Sequence, residues 1–179
     1  GTASQVKSNM NSPFASSVSS AIACVKSVLT DPDIPFNEGA ERAIFVKIPY
    51  GSILNPRPRA PVRARLLPSY RVVNAVMQAL GQAVPERVIA PGFDTTSVSC
   101  LSHKADGGYN IYLEIFGGGF GAGPNHDGCD AVDSMLSNCS NIPIEAMESD
   151  YPFFRVVDYS LRSSSGGDGK FRGGMGFQK

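Results

Sequence analysis

Tyr109-Asn110-Ile111-Tyr112-Leu113-Glu114-Ile115-Phe116-Gly117-Gly118-Gly119-Phe120-Gly121-Ala122-Gly123 changes character in its middle. In the first eight residues Tyr109, Ile111, Leu113 and Ile115 face one way and Asn110, Tyr112, Glu114 and Phe116 the other. That is the two-residue period of a β-strand. Aromatic residues on both faces predict that both are at least partly covered. The remaining residues are mostly glycine, which ends the strand in a flexible loop that exposes backbone. A strand running into a glycine loop, without a following Walker or dinucleotide pattern, sets the terms for the rest of the chain.

Upstream, Ser97 to Leu101 reads as a short strand. Ile44, Val46 and Ile48 alternate with Phe45 and Lys47, which predicts a strand closed by Pro49 and a turn at Tyr50-Gly51-Ser52. Ser12-Pro13 has the form of a helix start, with Val18, Ile22, Val25 and Leu29 as its apolar stripe and Asp31-Pro32 as its stop. A second helix is predicted from Ser69 to about Ala83, with Val72, Val73, Val76, Met77 and Leu80 inward and Pro85 as the terminator. The three prolines Pro56, Pro58 and Pro61 keep residues 55–61 extended and out of any central strand. Val62, Ala64 and Leu66 alternate with Arg63 and Arg65. Downstream, Ala131, Val132, Met135 and Leu136 predict a short helix, and Phe153 to Arg162 another strand. The class is α+β: a mixed or mostly antiparallel sheet, two main helices and Gly-rich loops, in one domain over residues 1–179.

With 179 residues the chain can bury one core. Its 42% apolar and 18% charged residues exclude a disordered chain. A net charge of zero argues against a nucleic-acid partner, and short, interrupted apolar runs argue against a membrane span. The 19 glycines and 13 prolines point to many turns. Neither a Met nor a signal pattern opens the chain, and its last residues follow a glycine stretch where a strand is expected to continue. Both ends therefore read as internal to a longer protein. The four cysteines lack metal-knuckle spacing and read as buried or half-buried thiols of a reducing, cytoplasmic setting.

Several constellations can carry chemistry, each beside a plainer alternative. Gly117–Gly123 can cradle an anion, line a substrate, or simply permit close backbone approach. Pro124-Asn125-His126-Asp127-Gly128 forms a turn where an anion site would want a helix. His126, Asp127 and Cys129 are metal-capable types, but Asp127-Gly128 equally makes a turn whose carboxylate accepts backbone N–H groups. Glu145 and Glu148 share one face if their stretch is helical, as an acid/base pair or as a solvated surface. Arg63, Arg65 and Arg71 can clamp a carboxylate or phosphate, or lie on an exposed strand face. Ser163-Ser164-Ser165 has no histidine at an identifiable triad position.

In order along the chain, a series of stretches resembles one family. Gly1-Thr2 through Gln5 and Asn11-Ser12-Pro13 resemble its GT-x-x-Q and N-x-P opening. Asp31-Pro32-Asp33-Ile34-Pro35-Phe36-Asn37-Glu38-Gly39 is similar to its DPDIP-x-NEG segment, and Gly51-Ser52-Ile53-Leu54-Asn55-Pro56 to its GS-x-LNP motif. Gly117 to Gly121, Asp127-Gly128, Asn138, Asn141 through Glu145, and Glu148 resemble a late glycine and N-x-P-x-E block. Ser165-Gly166-Gly167-Asp168-Gly169-Lys170-Phe171-Arg172-Gly173-Gly174 resembles its SGG-x-G-x-[YF]-RGG signature. Together they resemble the hydantoinase B/5-oxoprolinase family over nearly the whole chain.

The resemblance implies the later-middle portion of a B subunit that works with a hydantoinase A-like subunit carrying ATP and Mg. Phosphorylating an amide oxygen would turn a poor electrophile into a carbon that water attacks. The substrate would be a small cyclic amide of the hydantoin, N-methylhydantoin or 5-oxoproline type. In the carboxylase branch it would be a ketone, and a non-catalytic docking module is a further alternative. The family's acidic and GGTH-like metal region has no match here, so a divalent metal is expected upstream and none in this piece, which is expected to be inactive alone. The matched positions expected at the pocket are Gly117, Gly118, Gly119, Gly121, Asn138 and Asn141 for substrate, with Asp127 and Glu145 as candidate catalytic groups.

Overall fold

Helix α1 (Phe14–Leu29) stops at Thr30, immediately before Asp31-Pro32. The computed structural model describes every residue except Thr96, Asn138 and Ser140. Its contacts gather into two compact units, Gly1–Ile89 and Ala90–Lys179. Among the described residues, four α-helices and two small antiparallel sheets make the α+β class plain.

The first unit is built on α1 and α3 (Leu66–Leu80), with the single turn α2 (Glu38–Glu41) between them, capped by the Asn37 side chain. The buried face of α1 is Ser17, Ser20, Ala21, Ile22, Cys24 and Val28, and Leu29 is exposed. The expected stripe through Val18, Val25 and Leu29 is thus displaced. Small side chains make up most of the buried face, joined by Ile22 and Val28, while Val18 and Val25 are half-buried. The Cys24 thiol lies 3.6 Å from the Val73 carbonyl oxygen, and burial pushes its pKa up to about 11. Cys100, Cys129 and Cys139 are exposed, contrary to expectation.

Ser12 does not cap α1. Pro13 holds the cap position, and the buried Ser12 hydroxyl lies 3.4 Å from that of Ser69. Helix α3 starts three residues before the expected Ser69, because Pro68 sits in its first turn, where no N–H is required. Residues 63–65 form the turn leading into it, so Arg63 and Arg65 belong to no strand. Residues 44–48 keep their alternating exposure but pair with no strand among the described residues. Asn11, fully buried, ties residues 6–12 to the segment before α3: it accepts from Val6 N–H and donates to the carbonyls of Val6, Ser8 and Pro61 at 2.8 to 3.0 Å.

The second unit opens with the hairpin β1 (Ser97–Ala105) and β2 (Gly108–Phe116), paired from Ser97–Phe116 to Ala105–Gly108. Gly107 turns it at φ 94°. Only one face is covered. Tyr112 and Glu114 are buried, but Tyr109, Ile111, Leu113 and, across the pair, Val98 are exposed, which corrects the expectation of two covered faces. Residues 131–136 form no helix: Val132 makes an antiparallel bridge with Gly118, and turns lie on either side. Ala131 has φ 54°, and Asn141 donates to its carbonyl at 2.9 Å. Helix α4 (Ile144–Asp150) follows. The strand expected over 153–162 shrinks to β3 (Ser160–Leu161), paired with β4 (Phe177–Gln178). Two local forces override it. The Val156 N–H is taken by the Glu148 carboxylate at 2.8 Å, and the rings of Tyr151, Phe153 and Phe154 pack around one another and Tyr112. No helix among the described residues is long and apolar enough to cross a membrane.

Candidate functional site

In the second unit, four backbone segments lie against one another: residues 90–93, 117–122, 128–132 and 172–176. Phe93 N–H donates to Gly119 O, Phe120 N–H to Cys129 O, Gly174 N–H to Phe120 O, Gly128 N–H to Arg172 O and Ala131 N–H to Met175 O, all at 2.8 to 2.9 Å. This spacing leaves no room for side chains. A Cβ on Gly119 would overlap the Gly174 carbonyl oxygen, and one on Gly174 would overlap that of Cys129. Glycine is required here for close approach. Asp130 locks the stack, accepting two N–H bonds from the Arg172 guanidinium at 2.7 and 3.1 Å and one from Met175 N–H at 2.7 Å. The Arg172 hydrogen bonds hold the Asp130 carboxyl below the usual carboxylate range.

A cavity of about 690 Å³ opens beside the stack. Gly117, Gly118, Gly119, Gly173 and Gly174 give it a wall of bare backbone; Phe93, Phe116 and Phe171 give it apolar surface; Arg162, Asp168 and Lys179 give it charge. A concavity that joins apolar side chains to a few placed polar groups is a common form of small-molecule site. Among the described residues no three His, Cys, Asp or Glu side chains converge as metal ligands.

The first cavity shares Ser99, Phe116 and Lys179 with a second, of about 520 Å³. Here lies a buried ionic array. Lys179 Nζ donates to Glu114 Oε1 at 2.7 Å, with side-chain exposures of 7% and 2%. The Tyr112 hydroxyl donates to Glu114 Oε2. Burial, and then the Glu114 hydrogen bond and charge, push the Tyr112 pKa up. Burial and the same carboxylate raise that of Tyr159. Sequence reasoning missed this array. Its signal was a lone carboxylate, Glu114, between two aromatic residues on one strand face.

The expected site residues separate. Gly117, Gly118 and Gly119 line the first cavity together, and Gly121 lies behind it, its Cα packed on the Ala90 carbonyl. Asp127 is exposed and accepts from Arg172 N–H at 2.8 Å, which joins the two glycine segments. Asn141 holds Ala131. Asn138 lies outside the described residues. Glu145 is exposed in the first turn of α4 and lines neither cavity, and Glu148 is occupied by Val156 N–H. The Ser165 hydroxyl donates to Arg162 O at 2.7 Å and accepts from Gly176 N–H at 2.9 Å, a loop closure.

A family model described as Hydantoinase B/oxoprolinase matches residues 1–179. A protein of Pseudomonas sp. (strain NS671), named as the B subunit of a D-/L-hydantoinase, is 37% identical over 182 residues, covering 98% of this chain and 30% of that protein. The 5-oxoprolinase of Dictyostelium discoideum is 35% identical over 178 residues, covering 98% of this chain and 13% of its own length. For 5-oxoprolinase 1 of Arabidopsis thaliana the identity is 32%, with the same shares. The chain spans 30% or less of the length of these relatives. With the model matched from end to end and relatives of this identity along nearly all of it, the chain belongs to the hydantoinase B/oxoprolinase family.

Proposed function

We propose that this chain is part of the B subunit of an ATP-dependent hydrolase of cyclic amides, and that it supplies a wall of the substrate pocket. One observation carries the reading: two separate glycine signatures, at 117–121 and 166–174, meet on a single cavity of about 690 Å³. Bare backbone lets a small flat ring lie close to peptide groups, and the neighbouring phenylalanines keep water away. ATP and Mg belong to a hydantoinase A-like partner in this reading, and a divalent metal to other parts of the enzyme. The chain's own task is to bind and orient, and by itself it opens no ring. The reading places the enzyme in the cytoplasm.

The test is to produce the full-length protein carrying this chain with an A-type subunit. ADP release is then screened over hydantoin, N-methylhydantoin, 5-oxoproline and ketones, with and without bicarbonate. Ring opening coupled to ADP release is the expected result, and bicarbonate-dependent turnover of a ketone would place the protein in the carboxylase branch instead. Glu145 is exposed and lines neither cavity, so Glu145→Ala is expected to leave turnover unchanged and stability within about 0.5 kcal/mol. A fall in turnover returns Glu145 to the site. A second reading, a subunit-docking module, draws on the exposed apolar face of Val98, Ile111 and Leu113. Partner binding without turnover of any cyclic amide or ketone selects it.

A further inference from the structure

A net charge of zero hides two stretches of opposite sign. Residues 42–85 hold seven Lys and Arg and no Asp or Glu, and residues 105–154 hold eight Asp and Glu and no Lys or Arg. Six of the seven cations are arginines. Arg57, Arg59, Arg63 and Arg65 are all exposed and take part in no ion pair among the described residues. The segment that carries them is fixed in place. Pro56, Pro58 and Pro61 limit its backbone. Arg57 N–H donates to Gln5 Oε1 at 2.8 Å, the Asn11 amide donates to Pro61 O at 3.0 Å, and Ala64 N–H donates to Asn9 O at 2.8 Å. The Arg57 guanidinium lies beside the turn at Gly51, next to the exposed Tyr50. Arg63 and Arg65 stand at the N-terminus of α3, whose first turn holds no acidic residue. The helix dipole puts positive charge at that end, so both arginines add repulsion there. No ion pair within the first unit offsets it.

We infer that the arginine face at residues 57–65 is the docking surface for an acidic patch on the A-type partner subunit. The inference rests on the partnership proposed above and names where it is made. Three observations select that occupant. Arginine beside an exposed tyrosine, with few lysines, is the composition of a protein–protein interface. A nucleic acid is a poorer match, since the chain as a whole is neutral. A second copy is poorer too. Of the eight carboxylates in residues 105–154, those of Glu114, Asp127, Asp130, Asp133 and Glu148 already accept hydrogen bonds within their own unit. The rigid segment holds its guanidinium forks ready, so little freedom is lost when they grip a partner's carboxylates.

The experiment measures binding of the full-length protein carrying this chain to an A-type subunit by calorimetry, over a range of salt concentrations. Affinity is expected to fall as salt rises. Arg63→Glu with Arg65→Glu is expected to weaken binding by about tenfold or more. Because it places acids at the start of α3, the same change is expected to leave the melting temperature unchanged or raised. Weakened binding with an undiminished melting temperature is what a merely structural role would not give. Arg63→Lys with Arg65→Lys keeps the charge and loses the fork. It is expected to lose part of the affinity and keep the salt dependence, and it serves if the reversal does not fold. Binding that ignores salt, that survives the reversal, or that is absent in the wild type overturns the inference. So does a reversal that abolishes self-association or oligonucleotide binding and leaves the A-type complex intact. ADP release with hydantoin is followed in parallel. Ring opening with binding that survives the reversal removes the docking surface and leaves the hydrolase reading standing. Binding lost on reversal, with no ring opened by the wild type, does the reverse.

Discussion

In residues 1–89, α1 and α3 exclude water with side chains: Ala21, Cys24 and Val28 against Tyr70, Val73 and Met77. In residues 90–179 the tightest contacts are backbone on backbone, where Gly119, Gly128 and Gly174 meet carbonyl groups of neighbouring segments. A helix pair satisfies its own hydrogen bonds and needs only shape. The glycine stack satisfies its hydrogen bonds between segments far apart in sequence, and the missing side chains leave a cavity wall made of peptide groups. The first solution yields a filled core; the second yields a concavity bounded by rigid backbone.

The contrast breaks most sharply at Gly119. Gly119→Ala is expected to cost about 3 kcal/mol or more, because the blocking atom is a backbone carbonyl that cannot step aside. Gly167→Ala, with open space around its Cβ, is expected to stay within about 1 kcal/mol. Denaturant melts of the two variants give the comparison, and equal stabilities would show that the stack is not held by close approach. In the helical region the corresponding overfilling, Cys24→Leu, is expected to cost about 1–3 kcal/mol, since side chains can repack where a carbonyl cannot. A thermal shift as large as that of Gly119→Ala would erase the distinction.

The smallest expected effect sharpens the comparison by pH. Arg172 holds the Asp130 carboxyl below its usual range, so the clamp stabilises the fold above the unfolded-state pKa of about 4 and is lost as pH falls through the lower folded value. Hydrogen exchange at residues 172–176 is expected to quicken in that acid window, with the α1/α3 region unaffected. In Asp130→Asn the same segment is expected to exchange faster at neutral pH and to show no acid step. An acid step that survives Asp130→Asn would assign it to another carboxylate.

Where local pattern and local structure coincide, the sequence was legible. Tyr109 to Phe116 is a strand because its alternation is satisfied by one neighbour in a hairpin, and both ends of α1 follow from proline. Local reading failed where a partner outside the segment itself took the backbone. Val156 gave its N–H to Glu148 and left the expected strand; Ala131 was drawn into the left-handed region between Asn141 and Met175. Of the candidate site, Gly117, Gly118 and Gly119 line one cavity as a group, because neighbours in a glycine run stay together wherever the fold takes it. Glu114 and Lys179 were not legible, since 65 residues separate two unremarkable charges.

By itself, then, the sequence determined the α+β class, the two main helices, the strand before the glycine loop and the glycine segments, all properties of near neighbours along the chain. Tertiary structure alone decided that two glycine segments would share one cavity, that one face of the hairpin would stay bare, and that a lysine at one end of the unit would be neutralised by a strand carboxylate. The physical reason is range. Propensity and periodicity act over a few residues, whereas close approach and charge pairing depend on which surfaces the folded chain brings together.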